Sequence, residues 1–245
     1  MRIVEKMAAR NANARENAPV LIACLGDSVT HGCFEAHVDA RGEAHSRCNP
    51  DEAYVGQLAR KLHGYYPMAA VSVLNAGIDG NNAAGGCARV ETDVIRREPD
   101  LVIVNYGLND AWGGIEGLEK YRSNMTEIFS RLQAANMECM LLTPNRMCSY
   151  VAHNFPTEGY REIARKAALL QNQGVLDAYV QTARKLAKSM NVAIADANRV
   201  WNNLEAAGVD TTAMLANRIN HPDAAAHGIF VEQILARMFE RSENG

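Results

Sequence analysis

The stretch Val20-Leu21-Ile22-Ala23-Cys24-Leu25-Gly26-Asp27-Ser28 dictates the first element of the fold. Its opening apolar run is far shorter than the ~20 residues a bilayer requires. It also lacks the alternation of a strand with one wet face. An unbroken apolar run of this length predicts a strand covered on both sides, as in a parallel sheet. Gly26 then lets the backbone turn sharply at the strand's carboxyl end, leaving the Ser28 hydroxyl in the crevice above the sheet.

Working outward, similar runs recur at Val71 to Asn75, Leu101 to Tyr106, Glu138 to Thr143 and Val192 to Ala195. Between them the apolar spacing becomes helical. Tyr54, Leu58 and Leu62 form one stripe, Leu118, Tyr121, Met125, Ile128 and Leu132 a second, and Leu176, Tyr179, Ala183, Leu186 and Met190 a third. Phe230, Ile234 and Met238 close the chain. Strands alternating with helices predict an α/β fold, a three-layer flavodoxin-like sandwich around a five-stranded parallel sheet of order 2-1-3-4-5. With no repeat, linker or break in composition, residues 1–245 read as one domain, with 1–18 as an N-terminal extension. Thr30 to Pro50 and Pro144 to Phe155 read as long loops at the strand ends where such sheets bind ligands.

Composition narrows the function. Lys and Arg number 25 against 28 Asp and Glu, a net charge of −3, so there is no basic excess to neutralise a nucleic acid backbone. No apolar stretch suits a membrane, and the polar amino terminus lacks the core of a secretory signal, which predicts a cytoplasmic protein. Six cysteines are too sparse for a disulfide scaffold and are expected to be free thiols. His31, Cys33, His37, His45 and Cys48 are zinc-ligand types within one loop. They contain no paired Cys-x-x-Cys or His-x3-His unit, so neither metal nor cofactor is expected.

Three other segments belong with Gly26-Asp27-Ser28. The second strand exits into Asn75-Ala76-Gly77-Ile78-Asp79-Gly80 and the third into Gly107-Leu108-Asn109-Asp110. Asn220-His221-Pro222-Asp223 precedes the last helix, where Pro222 suits a first turn and Asp223 its positive end. A hydroxyl, an imidazole and amide donors are the parts acyl transfer needs. In order and strand placement, Gly26-Asp27-Ser28, Gly80, Gly107 to Asp110 and His221-Pro222 resemble the four blocks of the SGNH (GDSL-type) hydrolases. The resemblance implies a serine esterase with Ser28 as nucleophile and His221 as base. It further implies an oxyanion hole from the Ser28 amide, the Gly80 amide and the Asn109 side chain.

One position departs from that pattern. The family's aspartate, three residues before the histidine, is Arg218 here, and a guanidinium accepts no hydrogen bond. A backbone carbonyl or Asn217 is then expected to orient His221, with Asp196 at the end of the fifth strand as another candidate. His227 is the rival base and reads as a packed core histidine. Asp27 reads as the cap of the serine turn.

Polar crevice residues, among them His31, Asn81, Asn82 and Asn145, are candidate substrate contacts, and aromatic residues make up only 6% of the chain. They favour a small-molecule ester, a small acyl group (acetyl above all) on a polar alcohol such as a carbohydrate. A lipase or thioesterase of the same family is the nearer alternative. A non-catalytic flavin- or sugar-binding module is the more distant one. The oligomeric state is left open.

Overall fold

The computed structural model describes residues 1–39, 41, 44–153, 155 and 157–240. In chain order its elements are α1 (Arg2–Ala12), β1 (Val20–Gly26), α2 (Ser28–His31), β2 (Cys33–Val38), β3 (Ala44–Cys48), α3 (Tyr54–Tyr65), β4 (Val71–Gly77) and α4 (Ala83–Asp93). There follow β5 (Leu101–Asn105), α5 (Leu118–Ala134), β6 (Glu138–Leu142), α6 (Glu158–Asn172), α7 (Val175–Ser189), β7 (Ala193–Ala195), α8 (Ala197–Ala206) and α9 (His227–Phe239). The main sheet runs β4-β1-β5-β6-β7, all parallel, which is the expected 2-1-3-4-5 order.

Burial explains why the apolar runs are strands. Every residue of β5 is buried, and β1 is buried but for Leu21. Each fully buried Leu, Ile or Val side chain contributes about 1.5–3 kcal/mol. The helices supply matching faces: α3 buries Tyr54, Val55, Leu58 and Leu62, and α5 buries Tyr121, Met125, Ile128, Phe129 and Leu132. Right-handed crossovers that run in opposite directions along the sheet, β1 to β4 through α3 and β4 to β5 through α4, put α3 and α4 on opposite faces. Accordingly α9 packs with α3, whereas α4, α5 and α7 pack in series.

Three features differ from the sequence expectation. Residues 1–18, expected as an N-terminal extension, contain a helix, α1, that buries Ile3 and Met7 against the core. The Thr30 to Pro50 stretch contains an antiparallel hairpin, β2 with β3. The last helix begins at His227 rather than at Pro222, because Asp223 Oδ1 accepts the Ala226 N–H at 2.8 Å in a turn ahead of it. Among the described residues, no helix is long and apolar enough to cross a membrane.

The fold places one end of the sheet for chemistry. Gly26 is level with Gly77 of β4 on one side and Asn105 of β5 on the other. The order of connection reverses about β1, so the three carboxyl ends open into the crevice at the sheet's switch point.

Candidate active site

The Ser28 turn is built by close contacts. Asp27 caps α2, its Oδ1 accepting the Val29 N–H at 3.0 Å. Gly77 lets β4 pass directly against this short helix, since a Cβ there would lie 2.2 Å from the His31 nitrogen. Asn75 ties the two together, its Nδ2 donating to the His31 carbonyl at 3.2 Å. Thr30 is held from the other side by the Tyr54 hydroxyl at 2.9 Å. Ser28 is thereby fixed at the strand end, 3% exposed.

His221 arrives from a loop about 190 residues later in the chain, and its Nε2 lies 3.0 Å from Ser28 Oγ. Its Nδ1 lies 3.0 Å from the backbone carbonyl of Phe34 on β2. A carbonyl only accepts, so Nδ1 carries the proton and Nε2 is free to receive one from the serine. Burial holds the ring's pKa below its ordinary value, opposed in part by the Phe34 carbonyl and by the charge of Asp79. The imidazole is therefore neutral at pH 7, as a general base must be.

The histidine loop is held by amides. Asn217 Oδ1 accepts the N–H groups of Ile219, Asn220 and His221 at 3.0, 2.9 and 2.9 Å. Asn145 Nδ2 donates to the Asn220 carbonyl at 2.9 Å. Asn217 thus fixes the backbone under His221, and the ring itself is oriented by Phe34. Asp196 does not reach the ring: its carboxylate binds the Arg184 guanidinium through two bonds and accepts from Thr143 Oγ1. Arg218 is exposed, with φ of 57°, and its guanidinium bonds the Ala213 carbonyl.

Several polar residues expected to face substrate are already engaged. Asn82 Oδ1 caps α4 through the Gly85 N–H at 3.0 Å. Asn81 Oδ1 accepts from the Tyr106 hydroxyl at 3.2 Å, and Asn145 is fully buried beneath the histidine loop. Sequence shows that these side chains are polar but not that internal donors and acceptors use them.

The donor candidates lie in the turns that follow β4 and β5. Gly80 adopts φ of 70°, and a Cβ on it would meet nothing within 4 Å, so its backbone borders open space. Asn109 Nδ2 donates one hydrogen to the Asn81 carbonyl at 2.7 Å, which fixes the amide and leaves its second hydrogen available. Beneath them Asp27 is buried, and desolvation pushes its carboxyl up to about 7, opposed by the Val29 N–H and reinforced by Asp110. Burial likewise pushes Asp110 up to about 6.

His227 is not placed as a base. It is buried among Phe34, Tyr54 and Phe230, and its Nδ1 accepts the Tyr54 N–H at 3.1 Å. Burial, with the charge of His221 adding to it, lowers its pKa to about 3. The loop's zinc-type residues divide into two groups. His31, Cys33 and Cys48 bring their ligand atoms within 4.8 Å of one another, while His37 and His45 pair further along the hairpin, rings 5.5 Å apart.

The residue that sequence reading missed is Phe34, whose role is played by its backbone. The alternation of Phe34, Ala36 and Val38 with Glu35 and His37 was the available signal for its strand.

Comparison with known proteins follows the same lines. The model of the GDSL-like Lipase/Acylhydrolase family matches residues 24–229. An acetylxylan esterase of Geobacillus stearothermophilus is 25% identical over 226 residues, covering 89% of this chain and 90% of that protein. The crystal structure of an acetylxylan esterase from that organism aligns with a TM-score of 0.65 at 22% identity, covering 91% of this chain and 95% of that one. An alpha/beta hydrolase enzyme from the metagenome of Lake Arreo, Spain, aligns with a TM-score of 0.65 at 22% identity, covering 90% and 95%.

Proposed function

The chain belongs to the GDSL-like Lipase/Acylhydrolase family and is an ester-hydrolysing enzyme, and we propose that it removes small acyl groups, acetyl above all, from a polar alcohol such as a carbohydrate. The observation that carries the mechanism is the linear chain from Ser28 Oγ through His221 to the Phe34 carbonyl, 3.0 Å at each link.

His221 Nε2 takes the Ser28 proton as the oxygen attacks the ester carbonyl. The Ser28 and Gly80 amides and Asn109 Nδ2 receive the charge that develops on the carbonyl oxygen. The imidazolium then protonates the departing alcohol. Water repeats the sequence on the acyl-enzyme, which releases the acid and restores the serine. The ring is oriented by a neutral dipole. A carbonyl holds the tautomer as a carboxylate does, but it stabilises the imidazolium less.

The acyl and alcohol preferences draw on the relative's acetylxylan esterase activity and on the scarcity of aromatic side chains. Hydrolysis of p-nitrophenyl acetate, butyrate and octanoate, and of acetylated xylo-oligosaccharides, tests the reading. The expected order of kcat/KM is acetate, butyrate, octanoate, with Ser28→Ala and His221→Ala each reducing kcat at least about 10⁴-fold. Equal rates for the three proteins would remove the site, and a preference for octanoate would remove the acetyl assignment.

A further inference from the structure

The hairpin that supplies the Phe34 carbonyl has two thiols at its base. Cys33 and Cys48 are partners in the β2–β3 register, and just outside them the Asn49 N–H donates to the Gly32 carbonyl at 2.8 Å. A bond at those flanking positions makes Cys33 and Cys48 a non-hydrogen-bonded pair of an antiparallel ladder. In such pairs the Cα atoms lie about 4.5 Å apart and the side chains approach most closely. That separation falls within the span of a disulfide.

The two sulfur atoms are 3.0 Å apart. Two thiolates held by a tetrahedral zinc ion stand about 3.8 Å apart, given Zn–S bonds of about 2.3 Å. The thiols are already closer than a shared ion would keep them. We propose that Cys33 and Cys48 are an oxidation site that closes to a disulfide, pinning the base of the hairpin that carries the acceptor for His221.

The position gives the bond a purpose. Register shifts between Cys33 and Ala36, so the ladder lapses where Phe34 turns its carbonyl to the imidazole. An irregularity of this kind frees a backbone group but loosens the pairing around it. A covalent link next to the lapse replaces the missing ladder bonds.

The chemistry balances with a low-molecular-weight disulfide such as glutathione disulfide as oxidant. Cys48 is exposed and Cys33 buried, so Cys48 loses its proton and attacks first. Its thiolate breaks the glutathione disulfide, forming a mixed disulfide and releasing one glutathione thiolate. Cys33 then loses its proton and displaces the second glutathione from Cys48. Two protein thiols become one disulfide, and one glutathione disulfide becomes two thiols. Burial pushes the Cys33 thiol well up, which makes the closing step the slow one. His31, with a ring nitrogen within 4.8 Å of both sulfurs, offers a base for that proton.

The full chain is equilibrated with mixtures of reduced and oxidised glutathione, alkylated with iodoacetamide under denaturing conditions and mapped by mass spectrometry. The expected result is one crosslink, Cys33 to Cys48, rising to nearly all molecules as the mixture becomes oxidising and absent in Cys48→Ser. Cys24, Cys87, Cys139 and Cys148 are expected to be alkylated throughout. Free thiols at both positions in oxidised glutathione would overturn the proposal. So would a stable glutathione adduct on Cys48 with Cys33 free, or one equivalent of added zinc that shields both thiols of the reduced protein. Thiol mapping does not read ester hydrolysis, so its outcome is independent of the catalytic reading.

Discussion

Replacing Asn217 with alanine isolates the part of the site that sequence alone leaves unexplained. Its Oδ1 accepts three backbone N–H groups, ending with that of His221 itself, and its Nδ2 donates to Asn220 Oδ1 at 2.9 Å. Alanine removes the acceptor and leaves three donors to find water. At about 0.5–1.5 kcal/mol net for each bond, the local loss is about 2–4 kcal/mol, the lower part applying because Asn217 is half-buried. That loss falls on the loop that aims the ring, and a displacement of about 1 Å between nucleophile and base costs on the order of 10²-fold. The expected outcome is a kcat for p-nitrophenyl acetate reduced roughly 30- to 100-fold with KM within about twofold, since Asn217 holds the loop and does not contact the ester. Asn217→Asp keeps an acceptor oxygen and is expected to recover most of the loss. Wild-type kcat in Asn217→Ala, or a loss confined to KM, would refute the reasoning.

Other outcomes follow from buried titratable groups and tight contacts. Because burial keeps His221 below its ordinary value, the acid limb of kcat/KM is expected to have its midpoint below the free-imidazole value of about 6.5; a midpoint above that value would contradict this. Asp27 titrates at about 7 when folded, above its unfolded value, so the folded protein holds that proton more tightly and stability declines as pH rises from about 4 to 7. Asp27→Asn keeps an acceptor for Val29, so its melting midpoint is expected to exceed wild type at pH 8 and to match it at pH 4, with a gain on the order of 1–4 kcal/mol. His227→Phe orphans the Tyr54 N–H and is expected to lose about 1–3 kcal/mol of stability while keeping kcat within about tenfold, as measured by thermal unfolding and ester hydrolysis. Gly77→Ala forces a Cβ onto the His31 backbone and is expected to lower both melting midpoint and kcat.

The sheet was legible because strands covered on both faces are unbroken apolar runs, as in Leu101 to Val104, and a parallel sheet in one chain admits few topologies. Helix α4 was not legible. Gly85 and Gly86 weaken its signal, and the Gly86 position is required by the approach of the Tyr106 ring, which only packing reveals. That Ser28 and His221 would be brought together could be read, because a serine at a strand end and a histidine ahead of the last helix are distinctive in type and placement. The group that orients His221 could not be named, because a carbonyl belongs to every residue and only the β2–β3 hairpin selects that of Phe34. The internal bonds of Asn81, Asn82 and Asn145 were hidden for a related reason: a polar side chain looks the same in sequence whether it caps a helix or meets a ligand.

Nitrogen-15 NMR of the His221 ring, assigned by comparison with His221→Ala, reads the tautomer on which the mechanism depends. At pH 8 the account predicts a neutral imidazole protonated at Nδ1 and bare at Nε2, with Nε2 reaching half-protonation only below about pH 6.5. A ring protonated at Nε2 alone, or already cationic at pH 8, would contradict it.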